Sequence, residues 1–146
     1  MRILTVRQPW AWAIIHGGKD VENRSRNIAG GYRGPVAIHA ALNPNPGPWW
    51  AAIDPPFGSV TGENFGAIIG VADLVDVHFN GTHSERWDVE SERNATCSPW
   101  AEHGDVHHLV LANARPLAEP ILFRGALGLR TLPDDITARI LAEVTA

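Results

Sequence analysis

The segment GAIIGVADLVDVHF, residues 66–79, constrains the fold of this chain more than any other stretch. It is rich in β-branched residues, and apolar and polar side chains alternate from residue 72 onward, a pattern typical of a strand. Gly70 interrupts the run and predicts a bulge or bend. Further strands are predicted for the segments ILTV, KDVENR, PVAIHA, VHHLVLANARPL, EPILF and ALGLRTL.

Two helices are predicted, one near each end of the sequence. Pro9 precedes WAWAIIHGG and suits the first turn of a helix, which Gly17 and Gly18 then end. Pro133 precedes a second, amphipathic helix near the C-terminus. Short strands at close spacing with few helices predict an α+β fold, a small β-barrel with flanking helices, formed as one domain over residues 1–146.

Composition narrows the classes of function. No apolar run reaches the roughly 20 residues that span a bilayer, and MRILTVRQPW lacks the pattern of a signal peptide, so no membrane partner is expected. Cys97 is the only cysteine, which excludes an internal disulfide and favours a reduced, cytoplasmic setting. A net charge of −4 excludes a broad basic face, so nucleic acid would meet only a local basic rim around a pocket.

The sequence predicts neither a metal site nor another cofactor. His107 and His108 are adjacent, so on a strand they project to opposite faces. Among themselves, the remaining histidines show no H-x-H or H-x-x-x-H spacing, and one cysteine cannot form a cysteine-based metal cage. Cys97 is therefore interpreted as a small buried apolar residue.

The segment VRQPWAWAIIHGGKDVENRSRN places tryptophans beside charges. Lys19 is either a solvated lysine after the helix or a cleft lysine paired with Glu22, and we favour the cleft. Glu22 and Arg24 lie two apart on a predicted strand and project to one face, which is either solvated or lines that cleft. Trp10 and Trp12 cannot share a helix face, so one is core and the other, which we assign to Trp10, lines the cleft.

Residues elsewhere in the sequence extend this candidate site. Arg26 and Arg33 would widen its positive rim, and Trp100 in SPW would add a second aromatic wall. His39, at a strand end, either lines the cleft or makes a structural hydrogen bond. The candidate nucleic-acid-binding residues are therefore Trp10, Lys19, Arg24, Arg26, Arg33, His39 and Trp100.

The segments RQPWAWAIIHGGKDVENR, YRGPVAIHA, GAIIGVADLVD, SPWA and LANARPL resemble the ASCH domain family, a branch of the PUA-like superfamily. The resemblance runs from about residue 3 to residue 130, and its most specific part is a G-x-K-x-x-E-x-R pattern directly after an apolar helix. It implies a small PUA-like β-barrel with a cleft for the lysine, and binding of RNA or other nucleic acid. Some members hydrolyse the amide of N4-acetylcytidine with a lysine, a threonine and a glutamate.

Lys19 matches the family lysine, whereas Glu22 stands where the amidohydrolases have their threonine. The downstream catalytic glutamate has three candidates here, which are Glu85, Glu90 and Glu92. We therefore expect a protein that binds single-stranded RNA or DNA, or a modified nucleoside. The alternative is a hydrolase of nucleosides or a ribonuclease in which Lys19 and Glu22 are catalytic.

Overall fold

The computed structural model describes residues 1–43, 65–80 and 97–144, which form six strands and two helices. In chain order these are β1 (Arg2–Val6), α1 (Trp10–His16), β2 (Val21–Arg24), β3 (Gly34–Ala40), β4 (Ala67–Phe79), β5 (His107–Leu122), β6 (Leu129–Thr131) and α2 (Asp134–Val144). Neither of these two helices is long and apolar enough to cross a lipid bilayer.

All six strands belong to one mixed sheet with the order β2-β5-β4-β3-β1-β6. β1 and β3 pair in parallel, and the other neighbouring strands pair antiparallel. Within the described residues the sheet is open, because β2 and β6 each have a strand neighbour on one side only. The α+β class is confirmed, while the predicted closed barrel is not seen.

The predicted strand over residues 66–79 is confirmed as β4, and Gly70 marks a shift in its register with both neighbouring strands. Gly70 also lets α1 approach the sheet closely. A Cβ atom there would lie 2.6 Å from Ile15 Cδ1 and 2.7 Å from the Arg115 carbonyl oxygen. The glycine is thus required by packing as well as by the bend.

The prediction of two separate strands in VHHLVLANARPL and EPILF is wrong, because both belong to the 16-residue strand β5. Pro116 lies inside this strand, opposite Gly70 of β4. The other neighbour of β5, β2, pairs only with its residues 107–110. Beyond Leu111, whose amide still bonds the Asp20 carbonyl, no described strand pairs with that side of β5, so a proline is tolerated there.

Apolar side chains pack on both faces of the sheet, since alternate residues of each strand point to opposite faces. α1 covers one face, and the buried residues of that layer include Leu4, Val6, Ile14, Val36, Ile38 and Leu109. α2 covers the other face in what we call the α2 layer, which comprises Ile3, Ala37, Ile68, Val71, Leu117, Ile121, Leu132 and Ile140. The edge strand β2 lies at the end of the sheet farthest from β6.

Candidate functional site

Lys19 follows directly on the C-terminus of α1 and is only 5% exposed. Gly18 adopts a positive φ of 72°, and the Lys19 amide donates a hydrogen bond back to the Ala13 carbonyl at 2.9 Å. The Lys19 Nζ donates to the Val21 carbonyl and, at 3.0 Å, to Glu22 Oε2. An ammonium group has three donors, so within the described residues one remains beyond these two contacts.

The carboxylate of Glu22 lies between two cations. Its Oε2 is 3.0 Å from Lys19 Nζ, and its Oε1 is 3.0 Å from Arg24 Nη2. Glu22 and Arg24 are two residues apart on β2, which places both side chains on one face of the strand. Arg24 Nη2 also donates to the Thr5 carbonyl at 2.8 Å, so the guanidinium is held by β1 as well as by Glu22.

A segment formed by residues 97–102 lies against β2, and the side chain of Asn23 holds it there. Asn23 Nδ2 donates to the Trp100 carbonyl at 2.9 Å, and its Oδ1 accepts from the Glu102 amide at 3.0 Å. Ser98 contributes a second attachment, since its hydroxyl donates to Asp20 Oδ1 and accepts from the Trp100 amide at 3.0 Å. These contacts fix Trp100 beside α1.

The rings of Trp10 and Trp100 meet edge to face, with centroids 6.4 Å apart and planes at 80°. Together with the lysine and the carboxylate they enclose a pocket of about 520 Å³. It is lined by Trp10, Lys19, Glu22, Asn23, Pro99, Trp100, Ala101 and Glu102. An aromatic corner next to a few convergent polar groups is typical of a small-molecule site.

The ASCH domain model matches residues 4–121 of the sequence. The chain belongs to the ASCH domain family. No curated protein matches it in sequence.

Crystal structures of the ASCH protein from Zymomonas mobilis have the same fold. That protein aligns with a TM-score of 0.52 and 16% identity over 97% of this chain and 93% of that chain. A tyrosine-to-phenylalanine variant of that protein aligns with a TM-score of 0.55 and 17% identity, over 97% of this chain and 96% of that chain. A serine-to-alanine variant aligns with a TM-score of 0.52 and 17% identity, over 97% of this chain and 94% of that chain. At these identities the likeness concerns the fold alone.

Four of the residues predicted for the ASCH site line the pocket, namely Trp10, Lys19, Glu22 and Trp100. Arg24 touches the site through Glu22 rather than lining it. Trp12, the alternative to Trp10, packs its ring against His16 with centroids 5.5 Å apart. The structure therefore favours Trp10 for the pocket, and the roles assigned to these residues stay predictions.

Three further predicted residues do not line this pocket. Arg26 is exposed in the turn after β2, and Arg33 lies 3.5 Å from the Asp76 carboxylate. His39 is 1% exposed and bonds the Phe123 carbonyl through Nε2 at 2.8 Å, the structural alternative named for it. Burial lowers the pKa of His39, although the bonds to the Phe123 and Gly66 backbones oppose that shift.

Four residues that line the pocket were not predicted as site residues, namely Asn23, Pro99, Ala101 and Glu102, and two of them, Asn23 and Glu102, carry polar side chains. Asn23 lies in the segment KDVENR, which was interpreted only as an alternating strand. Glu102 lies in an irregular segment that gives no local signal. The three candidates for a downstream catalytic glutamate, Glu85, Glu90 and Glu92, lie outside the described residues.

Cys97 is exposed, so its interpretation as a buried apolar residue is wrong. Its Sγ lies 3.6 Å from His108 Nδ1. Partial burial and the nearby carboxylate of Asp20 both raise the pKa of the Cys97 thiol.

Proposed function

We propose that this ASCH domain binds a single nucleobase, either within single-stranded RNA or DNA or as a modified nucleoside, in the pocket between α1, β2 and residues 97–102. The observation that carries the proposal is a nearly buried Lys19–Glu22 ion pair directly beside the Trp10–Trp100 corner. Neither a core nor a solvated surface requires both features in one place. A cytoplasmic location, expected from the single cysteine, belongs to the same proposal.

The aromatic corner supports binding of a flat ring. A base that stacks on one indole presents its edge to the other, because the two planes are nearly perpendicular. Stacking of a base on an aromatic side chain contributes about 1–3 kcal/mol and does not depend strongly on which base is bound. The pocket volume of about 520 Å³ lies within the range usual for small-molecule sites.

The polar groups support recognition of the base edge. The third donor of the Lys19 ammonium matches a ring carbonyl, and the Glu22 carboxylate matches an exocyclic amino group. A charge-assisted bond made where water is excluded is worth more than the same bond on an open surface. Because Lys19 and Arg24 already hold both Glu22 oxygens, the carboxylate is oriented before a ligand arrives.

Charge balance favours a base over a phosphate as the group that enters. The lining residues include one cation, Lys19, and two carboxylates, Glu22 and Glu102. The guanidinium of Arg24 is held by Glu22 and Thr5. A site built for phosphate would present an excess of positive charge.

Binding can be tested with cytidine, N4-acetylcytidine, the other common nucleosides and short single-stranded RNA and DNA, using calorimetry and fluorescence anisotropy. We expect binding that Trp10→Leu and Lys19→Met weaken by at least about fivefold, since a stack or a charged hydrogen bond is worth about 1 kcal/mol or more. Trp12→Leu is the matched control, because Trp12 lies on the same helix outside the pocket. Absence of binding by every nucleoside and oligonucleotide would overturn the proposal.

Hydrolysis of a bound nucleoside or of RNA is the second candidate, and the buried Lys19–Glu22 contact at 3.0 Å favours it. Of the eight lining residues, none carries a hydroxyl, so the attacking group would be water activated by a carboxylate or the Lys19 amine. The same ligands, followed by chromatography for product, separate this candidate from binding alone. Turnover that Glu22→Gln and Lys19→Met both abolish, with Trp12→Leu unchanged, would establish it.

A further inference from the structure

A second group of reactive side chains lies on the other side of residues 97–102 from the pocket. His78 of β4 and His108 of β5 are direct partners in the antiparallel register, so their side chains share one face of the sheet. Cys97 stands at the start of the 97–102 segment. One ligand atom from each of His78, His108 and Cys97 lies within 4.8 Å of the other two.

Contacts on the far side of each ring determine which nitrogen carries hydrogen. His108 Nε2 lies 2.7 Å from the Glu102 carbonyl oxygen, which only accepts, so Nε2 is the N–H of that ring. His78 Nδ1 lies 3.4 Å from the Asp76 carboxylate, which makes Nδ1 the N–H there. In the neutral rings, His108 Nδ1 and His78 Nε2 therefore point lone pairs toward each other across 3.2 Å.

Two facing lone pairs repel unless a proton or a cation lies between them. A carbonyl or carboxylate that fixes the outer nitrogen of a histidine is also the usual second shell of a metal-binding imidazole. Here both rings have such a partner, and His108 is fully buried. The arrangement resembles a ligand set that is already oriented.

The distances between the donor atoms fit a tetrahedral ion. Zinc bonds of about 2.05 Å to nitrogen and 2.3 Å to sulfur place two nitrogens about 3.3 Å apart and nitrogen and sulfur about 3.6 Å apart. His108 Nδ1 lies 3.2 Å from His78 Nε2 and 3.6 Å from Cys97 Sγ. No backbone movement is needed to bring these two pairs to binding distance.

We propose that His78, Cys97 and His108 bind one divalent transition-metal ion, with Zn²⁺ as the preferred metal. One thiolate and two imidazoles suit Zn²⁺ better than Mg²⁺ or Ca²⁺, which prefer oxygen ligands. The linear spacing of the histidines predicted no metal, because two of the ligands meet through strand register instead.

The proposed ion would also connect this cluster to the pocket. It would tie Cys97 to β4 and β5, while Asn23 ties Trp100 and Glu102 to β2. The segment that carries the Trp100 wall would then be anchored at both ends. The metal proposal does not depend on the pocket ligand, so either can fail without the other.

The test uses the full reduced chain, freed of metal by a chelator and titrated with Co²⁺ and then Zn²⁺. We expect one Co²⁺ per chain, with the visible bands of a tetrahedral ion and a thiolate-to-cobalt charge-transfer band, and displacement of both by Zn²⁺. Cys97→Ser should remove the charge-transfer band, and His78→Gln should weaken binding beyond the about 10–100-fold typical of second-shell changes. Asp76→Asn alters only a hydrogen-bond partner of His78, so it should weaken metal binding by about 10–100-fold.

His107→Gln is the matched control, because it alters the neighbouring histidine, which pairs with Phe79 rather than with His78. Circular dichroism of each variant shows whether it is folded, and the exposed Cys97 gives a variant that does not disturb the core. Absence of the charge-transfer band in the reduced parent chain would overturn the proposal. So would binding that survives Cys97→Ser and His78→Gln unchanged but is lost in His107→Gln.

Discussion

Two regions of the sheet bury their side chains in opposite ways. At the β2 edge, the chain buries the charged side chains of Lys19 and Glu22 beside a pocket, whereas the α2 layer is assembled from apolar side chains. Burial of apolar surface stabilises a fold by about 25 cal/mol per Å², while burial of charge costs free energy unless each group is paired. Stability alone explains the α2 layer, whereas the proposed ligand would explain why the β2 edge buries charge.

The largest effect on stability is expected in the α2 layer. Ile140 is fully buried on α2, so Ile140→Ala should lower the free energy of unfolding by about 2–5 kcal/mol through lost burial and a residual cavity. Urea denaturation measures this loss. Nucleoside affinity at low temperature, where the variant is still folded, should be unchanged, and a parallel loss of affinity would mean that the two regions are not separate.

At the β2 edge, replacing Glu22 should lower the free energy of unfolding more than replacing Lys19. Glu22→Gln leaves the cations of Lys19 and Arg24 without their carboxylate and should cost about 3 kcal/mol, the lower end for a broken buried pair because Arg24 is 29% exposed. Lys19→Met should cost at least about 1 kcal/mol less, since Glu22 keeps Arg24. Equal losses in urea denaturation would show that Arg24 does not support the carboxylate.

Removing the two hydrogen bonds from the Asn23 side chain to residues 97–102 should have a smaller effect, which lowers both stability and ligand affinity. Asn23→Ala breaks two hydrogen bonds to residues 97–102, which should cost about 1–3 kcal/mol and weaken ligand affinity because Trp100 loses its support. Asn43→Ala, at an exposed asparagine after β3, is the control. Trp100 fluorescence follows the loss of stability, and calorimetry measures the ligand affinity. Unchanged affinity would show that Trp100 is not part of the binding site.

Sequence reasoning predicted the parts of this molecule whose signals are local. β4 is predicted by the alternation of apolar and polar residues within its own sequence. α1 is predicted by the proline before it and the glycine pair after it, and Lys19 and Glu22 come shortly after that helix. Non-local features were missed. Continuity of β5 through Pro116 depends on where β2 stops, and the meeting of His78 with His108 depends on register between strands 30 residues apart.

His39 is a buried titratable residue outside the two regions, and its pH response tests their separation. Burial lowers the pKa of His39 below the ordinary histidine value of 6.5, so the unfolded chain binds the proton more readily than the folded chain does. Stability is therefore full above about pH 6.5 and falls as the pH drops toward the folded pKa. His39→Gln should flatten this part of the curve in urea denaturation between pH 7 and pH 5, without changing nucleoside affinity.

The smallest expected effect is the response of oligonucleotide binding to salt. Among the described residues, Lys19 is the cation that lines the pocket, Arg24 is held by Glu22, and Arg33 faces Asp76. If the base enters and the phosphates stay outside, Lys19 bonds the base rather than a phosphate, and the logarithm of the affinity for a single strand should fall with a slope shallower than about −0.7 against the logarithm of salt concentration. Fluorescence anisotropy at several salt concentrations gives this slope, and Lys19→Met and Arg26→Gln should both leave it shallow. A slope several times steeper, or a large change in Arg26→Gln, would shift the interface from the β2 edge to the exposed arginines beyond it.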